Sequence, residues 1–117
     1  MAKLSTHVLD IARGCPAAGV AIALYRCNAS GRSLLGRFVT NTDGRCDSAL
    51  LEGDALQAGV YEIDFAIGDY FADLATEQSK PRFLDVVTLR IGIAHPASNY
   101  HVPLLASPYS YSTYRGS

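Results

Sequence analysis

The sequence predicts an all-β protein, a sandwich of two antiparallel sheets formed by a single domain over residues 1–117. Three observations support this fold class. Short runs of alternating apolar and polar residues recur along the chain, as in strands that are buried on one face. Turn-forming Gly, Pro, Asn and Asp residues separate these runs. Only one segment has helical spacing, so we expect roughly seven or eight strands and one short α-helix.

The first half of the chain contains three predicted strands, each bounded by a turn or loop. They are Leu4–Ile11, Val20–Cys27 and Ser33–Thr40, the last with Phe38 as its core residue. In the first strand Thr6 and Val8 share one face, and His7 lies on the other with Ser5. The Asn41–Gly44 segment is typical of a hairpin-type turn, and Arg45 follows it directly.

The second half contains four predicted strands and the helix. The strands are Gly59–Ile67, Leu84–Ile93, Tyr100–Leu105 and Tyr109–Tyr114. The helix is predicted over Asp69–Gln78, with Asp69 as its N-terminal cap and a Lys-Pro pair after it. The Ser107-Pro108 turn separates the last two strands. We expect the strand that carries His101 to be an edge strand, with His101 on its outward face.

Composition excludes several classes of protein. The net charge of −1 gives no support for binding nucleic acid or an anionic membrane surface. The segment Met1–Leu4 carries one positive charge and no long apolar run, so we expect neither a secretory signal nor a membrane span. We therefore expect a cytoplasmic protein.

The cysteines give no disulfide or metal signature. There are three, at positions 15, 27 and 46, and no pair has CxxC spacing. An odd count favours ordinary reduced thiols, and a reactive Cys46 beside the turn is the alternative. The HxH and HExxH spacings of zinc sites are also missing from the sequence, which leaves zinc held between subunits as the rival chemistry.

Three residues far apart in sequence could carry chemistry, and each also has an ordinary structural interpretation. His7 could be a surface histidine on an edge strand, Arg45 a solvated turn residue, and His101 a hydrogen-bonded histidine at an interface. Nothing in their spacing shows that they meet. If they do, a neutral histidine can take a proton from water, and a guanidinium can stabilise the charge that develops on a carbonyl oxygen.

Several sequence blocks, in the same order and spacing, resemble the 5-hydroxyisourate hydrolases, the transthyretin-related enzymes of urate breakdown. These blocks are LSTHVLD at 4–10, RGCPAAGV at 13–20, TDGR at 42–45, YHVPLL at 100–105 and SPYSYSTYRGS at 107–117. The resemblance covers essentially the whole chain. The terminal YRGS distinguishes these enzymes from the hormone-carrying transthyretins, which share the fold and much of the SPYSYST block.

The resemblance implies two four-stranded sheets, a short helix after the fifth strand, and a homotetramer built as a dimer of dimers. Active sites would lie between subunits, would need no cofactor, and would open the ring of 5-hydroxyisourate. Matching motifs assign catalytic roles and substrate binding to the following residues: His7, Arg45, His101 and Ser117 as catalytic; Tyr114, Arg115 and Gly116 as substrate-binding. His101 would belong to the base system with Ser117 beside it, and His7 would orient substrate or water, although the two histidine roles could be exchanged.

One departure and one alternative accompany this resemblance. Asn99 stands where many members of the family carry a further histidine, so Asn99 receives no catalytic role. The alternative function, a transthyretin-like carrier, would bind an apolar aromatic ligand at the subunit interface and would need an open apolar channel. A purely structural interaction domain would leave the terminal YRGS unexplained.

Overall fold

The computed structural model describes residues 1–74 and 78–117. Its strands are β1 (Lys3–Asp10), β2 (Cys15–Pro16), β3 (Ala21–Asn28), β4 (Gly31–Val39), β5 (Leu51–Glu52), β6 (Gly59–Ala66), β7 (Val86–Ile93), β8 (Tyr100–Ala106) and β9 (Tyr111–Thr113). The α-helix α1 (Ile67–Asp73) follows β6, and a 3₁₀ turn covers Gly53–Ala55. None of the helices in the described ranges is long and apolar enough to cross a membrane.

The strands form two sheets, which confirms the predicted all-β sandwich. One sheet has the order β2-β1-β8-β9, with β5 also paired to β1, and the other has the order β4-β3-β6-β7. Strand β2 adds two residues to the edge of an otherwise four-stranded sheet. With β2 set aside, the helix follows the fifth strand, as the resemblance implied.

One expectation about the first sheet was wrong. The strand that carries His101, β8, lies between β1 and β9 and is not an edge strand. Its pairing with β1 is parallel, whereas the other ladders in the described part of the chain are antiparallel. A parallel pair requires a long crossover, and here most of the chain lies between the two strands.

The helix begins earlier than predicted. It covers Ile67–Asp73, and Ala66 precedes it without a capping side-chain hydrogen bond. Asp69 is therefore not the cap; it lies in the first turn, where its carboxylate accepts a hydrogen bond from Arg82 (Nη1–Oδ1 2.7 Å). Residues 75–77 of the predicted helix lie outside the described residues.

The core lies between the two sheets and follows the predicted alternation. The largest fully buried side chains include Tyr61, Ile63 and Phe65 from β6, Leu4 and Val8 from β1, and Leu104 from β8. Phe38, predicted as a core residue, is only partly buried at the edge of this cluster. Because alternate residues of β1 and β8 fill the core, the residues between them point away from it, and these include both candidate histidines.

Candidate active site

The parallel pairing of β1 with β8 brings the two histidines onto one outward face. Ser5 lies opposite His101, and His7 lies opposite Pro103. The neighbours Thr6 and Val102 are buried, which fixes the outward direction of the residues beside them. Both imidazoles are only partly buried.

The Asn41–Gly44 turn brings Arg45 against β1. Val8 donates its backbone N–H to Gly44 O (2.8 Å), and His7 and Arg45 form a single antiparallel bridge. Gly44 has φ 75°, and a Cβ there would collide with the carbonyl oxygen of Val8, so the sequence needs glycine at this point. The turn forms as predicted, although it carries the chain from β4 to the other sheet and does not join two paired strands.

The same turn orients His7. Its Nε2 lies 2.8 Å from the carbonyl oxygen of Asp43. Since a carbonyl oxygen only accepts, Nε2 carries the proton, and the lone pair of the neutral ring is on Nδ1. The backbone of the turn therefore holds both the position and the tautomer of His7.

The C-terminal residues approach His101 from the other side. Gly116 donates its backbone N–H to His101 O (2.7 Å), and a Cβ at Gly116 would lie 2.8 Å from His101 Cδ2. Gly116 is thus required by the close approach of the histidine ring. Backbone conformation is not the reason, because Gly116 is not among the glycines with positive φ.

These elements surround a polar cleft with a volume of about 410 Å³. Its lining includes Lys3, Ser5, Arg45, Asn99, His101 and Ser117. The structure therefore brings together three of the four residues with predicted catalytic roles, Arg45, His101 and Ser117. The fourth, His7, lies beside Arg45 on the same face.

Tyr114 and Arg115, predicted to bind substrate, lie elsewhere in this chain. They line a second cavity of about 520 Å³ on the side of β8 that carries Tyr100. The guanidinium of Arg115 lies 4.0 Å from the centre of the Tyr100 ring, and its Nη2 donates to the carbonyl oxygen of Asn99 (3.1 Å). Within one chain, the terminal tetrapeptide is thus divided between two cavities.

Electrostatics keep His101 neutral and the nearby thiol protonated. Burial lowers the pKa of His101, and the positive charge of Arg45 and the neighbouring His7 lower it further. Burial, helped by Asp47, raises the pKa of the Cys46 thiol, which lines the same cleft. Because a thiolate is the nucleophilic form, this environment disfavours the reactive-thiol alternative for Cys46.

Sequence reasoning missed several residues of the cleft, among them Lys3, Ser5 and Asn99. Ser5 Oγ lies 2.8 Å from His101 Nδ1, and Asn99 Oδ1 accepts the backbone N–H of Lys3 (3.0 Å). Alternation in β1 already placed Ser5 on the face of His7. Only the register with β8 places Ser5 opposite His101, and the sequence carries no local signal for that register.

Chemically, the cleft combines a neutral imidazole, a guanidinium and hydroxyl groups around a space large enough for a small heterocycle. A neutral imidazole can accept a proton from water. The guanidinium can form paired hydrogen bonds with a planar urea-like group and can stabilise an oxyanion. In the part of the chain that the structure describes, no cluster of three or more His, Cys, Asp or Glu side chains is arranged to hold a metal ion.

Sequence comparisons find similar proteins over essentially the full length of the chain. A family model described as HIUase/Transthyretin family matches residues 4–116. A 5-hydroxyisourate hydrolase of Ralstonia nicotianae is 55% identical over 117 residues, which cover 100% of both chains. A 5-hydroxyisourate hydrolase of Mesorhizobium japonicum is 57% identical over 98% of this chain and 92% of its own length.

The solved structures similar to this chain include enzymes and a transthyretin. The chain is similar to an (S)-allantoin synthase (47% identity, TM-score 0.94), covering 99% of this chain but only 44% of that one. It is similar to the Klebsiella pneumoniae 5-hydroxyisourate hydrolase over 100% of both chains (35% identity, TM-score 0.81). Sea bream transthyretin solved with thyroxine is 28% identical with a TM-score of 0.86, and the match covers 97% and 94% of the two chains. With a family model that matches nearly every residue, and with relatives above 50% identity over at least 92% of both chains, the chain belongs to the HIUase/Transthyretin family.

Proposed function

We propose that this protein is a cofactor-free 5-hydroxyisourate hydrolase of urate and purine catabolism, acting in the cytoplasm. The product would be 2-oxo-4-hydroxy-4-carboxy-5-ureidoimidazoline. Relatives at 55% and 57% identity carry the name of this hydrolase. The observation that carries the proposal is the neutral His101 beside Arg45 in a polar cleft.

The reaction requires water to attack the carbonyl carbon of a strained ring amide. His101 takes one proton from the water as the new C–O bond forms, and negative charge moves to the carbonyl oxygen. Arg45 stabilises that charge. The C–N bond then breaks with its electron pair on nitrogen, which takes the proton back from the imidazolium. His7, held by the carbonyl of Asp43, orients the substrate or the water.

Arg45 acts in this scheme in two ways. Its positive charge stabilises the oxyanion, and the same charge helps to keep the pKa of His101 low, so that the base is neutral before the reaction. Gly116 lies against the histidine ring and Ser117 lines the same cleft, so both would limit where water can bind. Tyr114 and Arg115 would complete the substrate-binding set from a neighbouring subunit.

The polarity of the cleft favours the hydrolase over the carrier. A site for an apolar aromatic ligand is mostly apolar, with few polar groups. Here Lys3 and Arg45 place two positive charges around the same space, and His101 adds a third when it is protonated. Desolvating them against an apolar ligand would be costly.

Hydrolysis in oxygen-18-labelled water tests the proposal. With this protein, freshly made 5-hydroxyisourate should disappear faster than in buffer, and the label should enter the new carboxylate of the product. Disappearance at the rate in buffer would contradict the proposed activity. Acceleration without entry of the label would contradict water attack at the ring amide.

The dependence of kcat/KM on pH should follow the protonation of His101, the proposed general base. Only neutral His101 can accept a proton, so kcat/KM should fall as pH drops through the pKa of this residue. That pKa lies below the ordinary histidine value of about 6.5, because burial and Arg45 disfavour the charged ring. In Arg45→Ala the acidic limb should move to higher pH, since a positive neighbour is lost. If the acidic limb of the pH profile stayed in place in Arg45→Ala, Arg45 would be excluded as a cause of the lowered pKa of His101.

Chelators should leave activity unchanged. The expected chemistry uses side chains alone, so prolonged EDTA treatment followed by dialysis should not alter kcat/KM. Loss of activity that added zinc restores would instead support a metal ion bound between subunits.

We expect a homotetramer, a dimer of dimers, with active sites shared between subunits. The free edge strands β7 and β9 expose apolar side chains, with Val86 53% and Tyr111 44% exposed, and Tyr114 just after β9 is 61% exposed. Unpaired edges of this kind favour pairing with another chain. Sedimentation should show four subunits at micromolar concentration, and a stable monomer would count against shared sites.

Subunit mixing separates shared from self-contained sites. His101→Ala and Tyr114→Ala proteins, each with low activity, should regain part of the activity when unfolded together and refolded as hybrids. If Tyr114 acted only within its own chain, the mixture would have no more activity than the sum of its parts.

A further inference from the structure

We infer that Ser5 is a positioning residue that holds His101 in the tautomer with its proton on Nδ1. This inference rests on the proposed function and deepens it, because it specifies how the base is kept ready to accept a proton. The resemblance gives Ser5 no role. Its hydroxyl is nevertheless within hydrogen-bond distance of the imidazole that the mechanism uses, with Ser5 Oγ 2.8 Å from His101 Nδ1.

The contact is fixed by the backbone on both sides. Ser5 and His101 are register partners in the parallel ladder, between the Leu4–Tyr100 and Thr6–Val102 pairs. The side chain of Thr6 donates to the carbonyl oxygen of Val102 (2.6 Å), which adds a buried link beside the pair. Ser5 and His101 are both partly buried, so water competes less for this hydrogen bond than it would on an open surface.

The inferred direction of this hydrogen bond, in which the Ser5 hydroxyl accepts from Nδ1–H, determines which ring nitrogen can act. A neutral imidazole carries one proton, and the partner of one nitrogen determines the state of the other. A Ser5 hydroxyl that accepts from Nδ1–H leaves the lone pair on Nε2, on the opposite side of the ring. Nε2 is bonded to Cδ2, the ring atom nearest to Gly116, and therefore lies toward the terminal residues that line the cleft.

The same contact supports the charged intermediate. When His101 takes a proton from water, both ring nitrogens become donors, and Nδ1–H still needs an acceptor. The oxygen of Ser5 supplies one. Without the Ser5 oxygen the neutral ring is free to carry its proton on Nε2, and Nε2 then cannot accept a proton from water. The imidazolium also loses a hydrogen-bond acceptor for Nδ1–H.

A matched pair of variants isolates the hydroxyl. Ser5→Thr and Ser5→Val introduce side chains of the same shape, both suited to a strand, and differ only in the hydroxyl. We expect Ser5→Val to lower kcat by about tenfold or more with little change in KM, the usual scale for a residue that orients a catalytic group. Ser5→Thr should stay close to wild type. Ser33→Ala, on β4 of the other sheet, is the control for replacing a strand serine.

The tautomer itself can be measured. Nitrogen-15 chemical shifts of His101, assigned by their absence in His101→Ala, distinguish a protonated from an unprotonated ring nitrogen. Wild type and Ser5→Thr should show the proton on Nδ1, and Ser5→Val should shift the population toward Nε2.

Two results would overturn the inference: unchanged tautomer populations in Ser5→Val, or a Ser5→Val kcat equal to that of Ser5→Thr. If wild type itself does not hydrolyse 5-hydroxyisourate, the proposed function fails. The nitrogen-15 shifts would still decide whether Ser5 controls the tautomer of His101.

Discussion

His101→Ala should lower kcat/KM for 5-hydroxyisourate by about a hundredfold or more, the scale expected when an acid–base group is lost. The variant removes the ring that Ser5, Arg45 and Gly116 surround. It keeps the backbone carbonyl that accepts the N–H of Gly116, and it leaves the core between the sheets untouched. The sandwich should therefore stay folded, and circular dichroism should match that of wild type.

His95→Ala is the matched control for this prediction. His95 lies exposed in the loop before β8, and its backbone N–H, not its ring, makes the hydrogen bond to Tyr100 (2.9 Å). Its replacement should leave kcat/KM unchanged. If His101→Ala remained fully active, or if both variants lost activity equally, His101 would have no special place in the chemistry.

Removing Arg115–Ser117 should abolish hydrolysis. The deletion takes away the Gly116 N–H bond to His101, the side chain of Ser117 in the cleft, and the contact of Arg115 with Tyr100 and Asn99. None of the removed residues belongs to the buried core. Thermal unfolding should therefore remain cooperative while kcat/KM falls to the detection limit.

A milder change at the same place tests the geometry. Gly116→Ala places a Cβ where His101 Cδ2 would lie 2.8 Å away, so either the ring or the terminal segment must move. Gly92→Ala is the matched control, because a Cβ there meets nothing within 4 Å and its φ is not positive. Activity should fall in the first variant only. Full activity in both Gly116→Ala and the deletion would mean that the terminal residues merely finish the chain.

The sequence predicts which side chains face the core because strand periodicity is local. Alternation in β1, β6 and β7 assigns buried and exposed faces correctly, since every second residue must leave water. Register between distant strands has no such local signal. Ser5 and His101 are 96 residues apart, and their meeting depends on the packing of the whole sandwich.

The errors at the helix and at β8 have related causes. Asp69 is a good capping residue by propensity, but α1 begins directly at the end of β6, where the buried Ile67 and Gly68 fix its first turn. The strand with His101 was predicted to lie at an edge, but β8 pairs with β1 on one side and with β9 on the other. Tertiary pairing decides which strands lie at an edge, and the sequence has no local signal for it.

The candidate site was predictable mainly by motif. Residues alone left His7, Arg45 and His101 with ordinary structural interpretations, and the resemblance brought them together as catalytic candidates. The structure adds the contacts that motifs cannot supply, such as the Asp43 carbonyl on His7 and the Ser5 hydroxyl on His101. It also places Tyr114 and Arg115 at a second cavity, which makes a neighbouring subunit necessary for their proposed role.

The central claim is that the cleft between β1, the Asn41–Gly44 turn and the C-terminal residues hydrolyses 5-hydroxyisourate. The most direct test follows the absorbance decay of freshly generated substrate at increasing concentrations of wild-type protein and of His101→Ala. The initial rate should rise in proportion to wild-type concentration with many turnovers per subunit, and His101→Ala should contribute about a hundredth of that slope or less. A wild-type slope of zero, or equal slopes for the two proteins, would contradict the claim.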